Sequence, residues 1–401
     1  MNILFLRQYN PYIESGASAN RFRGLIDGIC REGHCVTIGV TGGFQKKDEC
    51  TAWSGPSNLD VVYLSKAIHY NGVLGRLNTY FFDRIHLTST KKRLKHLITK
   101  KYDLVWLTNN DNVLRLFLTG LKNFSGKTFI ELNEFNDIYK GENQGNFLQK
   151  RKALKGNKVF MKAIGKIDLF AVMTKTLTAY YQGMAKPEAR FLHLPMTVDL
   201  SRFDHVPVVE STYTKPYIAF TGTMNNQKDG VDVLIKAFAK IATQYPSLHL
   251  YLAGFWHYDV PLQDELISGF GLKERILRVG VLNREQIPVF IGNANLLVLS
   301  RPDSHQAQGG FPTKLGEYLA TGNPVCVTKV GEIPDYLKDN VSAFMAEPSD
   351  VDSFADAMDR ALRDDDNAKR VGANGRKVAE EHFSAEVQAK RLVEFLEKNI
   401  Q

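Results

Sequence analysis

At 401 residues the chain is too long for one typical domain, and its 44% hydrophobic and 11% aromatic composition supplies a sizeable core. That excludes a disordered or low-complexity body, and no internal repeat or apolar run of about 18–20 residues points to a solenoid or a membrane span. The net charge of +8 is uneven: residues 1–200 carry 29 Lys and Arg against 16 Asp and Glu, and the remainder 22 against 27.

The chain opens on a predicted strand, Asn2–Leu6, a loop over Tyr9–Ala19, a helix carrying Arg21, Leu25, Ile26 and Ile29, and a second strand, Val36–Val40. A βαβ opening implies a parallel sheet. Gly16, between Ser15 and Ala17, is small enough to let a ligand approach the backbone, but the loop lacks the G-x-G-x-x-G spacing and following acid of a dinucleotide enzyme, so an NAD reading loses ground. The apolar run Ile3–Leu6 stops at Arg7, too short for a signal peptide. Cys30, Cys35, Cys50 and Cys326 show no metal-type pairing with histidines, and a reduced, intracellular chain is the simplest reading.

Further strands are expected at Val61–Leu64, Leu104–Leu107, Thr128–Leu132 and Leu169–Val172, with a helix at Val113–Leu121. Asn133-Glu134-Phe135-Asn136-Asp137 follows one strand, where open α/β sheets place their sites; Glu134 reads either as a substrate-binding acid or as a helix N-terminal charge. Most of the basic excess lies in Lys91–Lys101 and Lys150–Lys166. The second run interleaves lysines with Leu154, Val159, Phe160, Met161 and Ile164, which suits either an anionic membrane surface or an ordinary solvated face. No recognition-module pattern accompanies the charge, so nucleic acid is not an expected partner.

Leu194 to Pro216 holds Pro195, Pro207 and Pro216 with few helix signals and reads as a linker. The alternation then restarts: strands at Tyr217–Phe220, Leu248–Ala253, Ile276–Val279, Leu296–Leu299, Pro324–Thr328 and Ala343–Ala346, a polar loop at Gly222–Gly230, and helices at Val231–Ala242, Val351–Arg363 and Ala385–Lys398. Two βα-alternating halves imply two Rossmann-like domains facing each other across a cleft. Asp364-Asp365-Asp366 reads as a solvated turn or cap.

One stretch stands out, Gly309–Val327 (GGFPTKLGEYLATGNPVCV). Pro312 suits a first helical turn, Leu315 and Leu319 share one side of the helix, and Lys314, Glu317 and Thr321 share another. A helix N-terminus fed by the free amides of Gly309 and Gly310 would hold a phosphate, with Lys314 beside it and Glu317 one turn on for a sugar hydroxyl. The same pattern also fits an amphipathic helix with an exposed ion pair.

Taken in order, five stretches resemble the retaining glycosyltransferases of family GT4, which have the GT-B fold. Ser15–Val36 is similar to their N-terminal glycine loop, helix and Gly-His turn; His193–Phe203 (HLPMTVDLSRF) to their inter-domain segment; Phe220–Phe238 to their phosphate loop with its lysine; Gly309–Val325 to their donor signature; and Ala346–Met358 with Asn374–Ser384 to their C-terminal region. The resemblance implies an acceptor domain over residues 1–195, rejoined by a C-terminal helix at about 385–401, and a donor domain over 210–384. It implies a nucleotide-sugar donor, a glycan or lipid-linked glycan acceptor, no metal and no further cofactor. Glu317 would hold the ribose hydroxyls and Lys228 and Lys314 the diphosphate, with Gly222, Thr223, Gly309, Gly310 and Leu315 completing the donor side. Gly16 would close over the same diphosphate, and Asn133, Glu134 and Arg21 would face the acceptor.

Three departures accompany it. The family's first glutamate, eight positions before Glu317, is Gly309 here, so Gly309/Gly310 amides, Gln308 or Asp303 would have to meet the sugar. The arginine after the phosphate-loop glycine is Thr223, with Arg301 a candidate to replace its charge and so to join Lys228 and Glu317 as catalytic residues. The histidine–acid pair appears as Asn133-Glu134. The expectation is a metal-independent retaining transferase at the cytoplasmic face of a membrane, in polysaccharide or glycoconjugate assembly. A non-catalytic nucleotide-sugar-binding protein and a nucleotide-sugar epimerase are the alternatives.

Overall fold

The computed structural model describes residues 1–14, 16–42, 55–65, 87–136, 147–206 and 213–400; Ser15, Cys50 and Asp137 lie outside them. They form two compact units, Met1–Leu194 with Ala389–Gln401, and Pro195–Gln388.

The first unit is built on seven parallel strands: β1 Asn2–Arg7, β2 Cys35–Val40, β3 Leu59–Tyr63, β4 Leu104–Leu107, β5 Lys127–Leu132, β6 Leu169–Val172 and β7 Arg190–His193, in the order β3-β2-β1-β4-β5-β6-β7. β1, β4 and β6 read as continuous apolar runs because a central parallel strand is covered on both faces. Trp106 of β4 anchors the core, with ring centroids 4.6 Å from Phe5 and 5.4 Å from Phe129. Ala389, Leu392, Val393 and Leu396, from the helix Ala385–Ile400, complete the same apolar cluster. β7 is absent from the sequence reading; it is four residues long and only partly buried, so it carries no clean alternation.

The second unit holds six parallel strands: β8 Tyr217–Thr223, β9 His249–Phe255, β10 Ile276–Gly280, β11 Leu296–Leu299, β12 Val325–Thr328 and β13 Phe344–Ala346, in the order β10-β9-β8-β11-β12-β13. The segment read as a linker is in part structural. Met196, Val198 and Phe203 are buried, Val198 N–H donates to the Phe383 carbonyl at 2.8 Å, and Leu200–Phe203 forms a short 3-10 helix. The prolines hid the alternation of Met196 and Val198. Gly316 favours the fit: a Cβ there would lie 2.9 Å from Met196 Cε and 3.2 Å from Val198 Cβ, so a side chain would make Met196 shift where the helix Thr313–Ala320 lies along this segment.

Strand order reverses once in each sheet, at β1/β4 and at β8/β11. The carboxyl ends at such a reversal are where doubly wound sheets bind ligands. Among the described residues no helix is long and apolar enough to cross a membrane.

Candidate active site

β8 delivers Thr221-Gly222-Thr223 to the carboxyl edge of its sheet. Gly222 has φ of 151°, and a Cβ on it would fall 2.2 Å from Lys314 Nζ. The missing side chain is the space the lysine fills. Lys314 reaches back from the helix Thr313–Ala320, donates to Asp229 Oδ1 at 2.9 Å and lies 4.8 Å over the Phe220 ring. Its side chain is 17% exposed and that of Asp229 6%. Burial lowers the ammonium's pKa, Asp229 opposes this, and the charges of Arg301 and Lys228 push it down further. Three expected cations thus lie near enough for their charges to interact, and Lys314 among them is paired with the buried Asp229.

Each comes from a different element. Lys228 is exposed on the short helix Asn226–Asp229, whose first turn Asn225 caps by accepting from Lys228 N–H at 2.8 Å. The following loop holds that turn in place: Phe255 carbonyl accepts from Met224 N–H at 2.9 Å, and Asp259 Oδ2 from Asn226 N–H at 2.7 Å. Arg301 is buried just past β11, and its Nη1 donates to the Gly310 carbonyl at 3.3 Å. Thr223, which stands where an arginine was expected, is half-buried at the end of β8.

Glu317 sits one turn beyond Lys314, its side chain 23% exposed. The two are not each other's partner. Glu317 Oε1 accepts from Arg202 Nη1 at 2.7 Å, and Arg202 Nη2 donates to the Arg284 carbonyl at 2.9 Å. The helix is fixed to β8 by Tyr318, whose hydroxyl accepts from Thr221 N–H at 2.7 Å. Arg202 and Asp229 carry no local signal in the sequence. Asp229 follows Lys228 in what reads as a polar loop, and Arg202 lies in the segment taken as a linker.

Other expectations change. Pro312 is the N-cap of its helix, with extended backbone (ψ 110°), rather than a first-turn residue. Gly309 ends a one-turn helix, His305–Gly309, capped by Ser304, and Gly310 N–H donates to the Gln306 carbonyl at 3.0 Å, so that amide is already used. Leu315, expected on the donor side, is fully buried and serves the core. Gln308 Nε2 donates to Asp303 Oδ1 at 2.5 Å, so the two candidates to replace the missing glutamate hold each other.

In the first unit, Gly16 is exposed at the N-cap of the helix Ala17–Arg31. Arg21 does not offer itself to an acceptor: it is 3% exposed, ion-paired with Glu131 of β5, and donates to the Leu194 carbonyl at 3.0 Å. Asn133 Oδ1, just past β5, is buried without a hydrogen-bond partner among the described residues. Glu134 is exposed, and its backbone carbonyl accepts from the Tyr181 hydroxyl at 2.8 Å.

Residues 202–378 match the family model of group 1 glycosyl transferases. The chain is 23% identical over 258 residues to the GDP-mannose-dependent monoacylated alpha-(1-6)-phosphatidylinositol monomannoside mannosyltransferase of Corynebacterium glutamicum, covering 61% of this chain and 66% of that protein. Two further curated relatives, both uncharacterised glycosyltransferases, are matched over only 39% and 43% of their own lengths. Among solved structures, sucrose-phosphate synthase from Thermosynechococcus elongatus superposes with a TM-score of 0.75 at 18% identity, covering 99% of this chain and 98% of that one. HepE from Anabaena, solved with UDP and glucose, gives 0.71 at 16% identity, covering 99% and 100%. The fold is GT-B, two parallel-sheet Rossmann-like domains.

Proposed function

We propose that the chain is a retaining, metal-independent glycosyltransferase. It moves a sugar from a nucleotide-sugar donor held by residues 195–388 to a glycan or lipid-linked glycan taken by the first unit, in polysaccharide or glycoconjugate assembly. The observation that carries this reading is the convergence of Lys228, Arg301 and Lys314 at the carboxyl end of β8 and β11, one helical turn from Glu317. Three cations suit a diphosphate, and a carboxylate at that spacing suits a ribose diol. In the transfer, the bond between the anomeric carbon and the diphosphate oxygen breaks with its electron pair going to the diphosphate. The acceptor oxygen bonds to the same carbon on the same face, and its proton passes to the departing phosphate. The cations stabilise the charge that grows on that phosphate, so catalysis rests on electrostatics and positioning. The match of residues 202–378 to group 1 glycosyl transferases, the mannosyltransferase relative and the UDP-containing HepE complex support a nucleotide-sugar donor.

Incubating the protein with UDP-, GDP- and ADP-sugars plus glycan and lipid-linked acceptors tests the reading. One donor is expected to be consumed only when acceptor is present, at a rate unchanged by chelator. Conversion of donor without acceptor would instead indicate an epimerase, and binding without turnover a non-catalytic protein.

A lipid-linked acceptor agrees with one surface of the first unit. The helix Phe147–Ile164 exposes Leu154 (42%) and Met161 (41%), one heptad apart, among exposed Arg151, Lys155, Lys158 and Lys162. Apolar residues set among cations suit an anionic membrane surface on the cytoplasmic side. Sedimentation with phosphatidylglycerol vesicles, and not with phosphatidylcholine ones, is the expected result, weakening several-fold in Lys155→Glu/Lys158→Glu.

A further inference from the structure

Glu317 has rotatable torsions and stands at the surface of its helix, so something must hold its carboxylate if it is to meet a diol in one geometry. Arg202 does so from a different element. It bridges three parts of the second unit: its own 3-10 turn Leu200–Phe203, the Arg284 carbonyl ahead of the helix Gln286–Gly292, and Glu317 on Thr313–Ala320. Its side chain is 11% exposed, its guanidinium lies 5.3 Å over the Phe203 ring, and Arg284 Nη2 is itself 3.4 Å from Asp199 Oδ2. A planar guanidinium with one nitrogen on a backbone carbonyl and another on a carboxylate oxygen has little freedom left. The contact uses Oε1 alone, so the second carboxylate oxygen lies outside it.

We infer that Arg202 is a positioning residue for nucleoside recognition: by clamping Glu317 Oε1 it presets the carboxylate for the ribose hydroxyls of the donor, and so sets discrimination between ribo- and deoxyribonucleotides. The inference rests on Glu317 being the ribose contact. It gives the partly buried stretch Pro195–Phe203, packed along the same helix through Met196, Val198 and Gly316, a role in the donor site beyond joining two domains.

The test is calorimetric binding of UDP and GDP, their 2′-deoxy counterparts and inorganic pyrophosphate to the whole chain. The wild type is expected to prefer the better-bound ribonucleotide over its deoxy form by about tenfold to a hundredfold, the range of one hydrogen bond to a charged group. Arg202→Gln is expected to bring that ratio below about threefold while leaving pyrophosphate affinity unchanged, and Arg202→Lys to restore part of it. A thermal unfolding midpoint checks that each variant is folded. Glu317→Ala separates the two layers. If it leaves the ratio intact, the ribose reading of Glu317 fails. If it abolishes the ratio while Arg202→Gln preserves it, the positioning role is overturned. Equal loss of pyrophosphate and nucleotide affinity in Arg202→Gln would also overturn it, because Arg202 would then be supporting the fold alone.

Discussion

Glu317→Ala is expected to lower affinity for the cognate nucleoside diphosphate by about a hundredfold or more. A diol donating two hydrogen bonds to a carboxylate gains about 1.5–3 kcal/mol from each, and every 1.4 kcal/mol is tenfold in affinity. The lower end applies here because the side chain is 23% exposed and part of the interaction is screened. Glu317→Gln keeps the shape and one acceptor oxygen, so its loss should be smaller, about tenfold. Removing the carboxylate also strips Arg202 of an ion-pair partner at a largely buried position. A stability loss of about 1–3 kcal/mol follows, seen as a thermal midpoint lower by several degrees. Titration calorimetry and a thermal scan separate the two effects. An affinity change under about threefold in a folded variant would remove Glu317 from the site.

Lys314→Met is expected to lower kcat by about a hundredfold to a thousandfold, the usual scale when one preorganised group facing developing charge is lost. Methionine preserves most of the volume beside Phe220 and Gly222, so the change is chiefly one of charge. It also leaves Asp229 buried with its direct counter-ion gone, which costs about 3–5 kcal/mol of stability. Pairing the change with Asp229→Asn removes the stranded charge. The double variant should recover most of the thermal midpoint and none of the rate. Recovery of both would mean that Lys314 serves folding alone; loss of stability with normal kcat would mean the same.

These two residues show what one sequence reveals and what it hides. Lys314 and Glu317 stand out because they are local: three residues apart on a helix bounded by glycines and a proline. Their partners are 85 and 115 residues away, and no periodicity relates them. The strands β4, β6 and β11 match their expected bounds, since uninterrupted apolar runs between turns are the signature of central parallel strands. The one-turn helix His305–Gly309 is too short to show a 3.6-residue period, so its closing glycines look like free amides. Leu315 shows the opposite case: its place on the apolar stripe marks its side chain as core, and the side chain is fully buried. The ion pair of Arg21 is equally hidden, because its partner Glu131 lies on a strand 110 residues on.

The cluster formed by Ala389, Leu392, Val393 and Leu396 with β1, β2 and β4 bears on the order in which the chain matures during synthesis. All of Pro195–Gln388 leaves the ribosome before those four side chains do. The second unit therefore has its whole sequence available first, while the earlier-made unit waits with an uncovered apolar surface beside Phe22, Ile26 and Ile29. A released chain truncated after residue 388 should accordingly present a protease-resistant second unit and a first unit open to chaperones, and restoring residues 389–401 should close it.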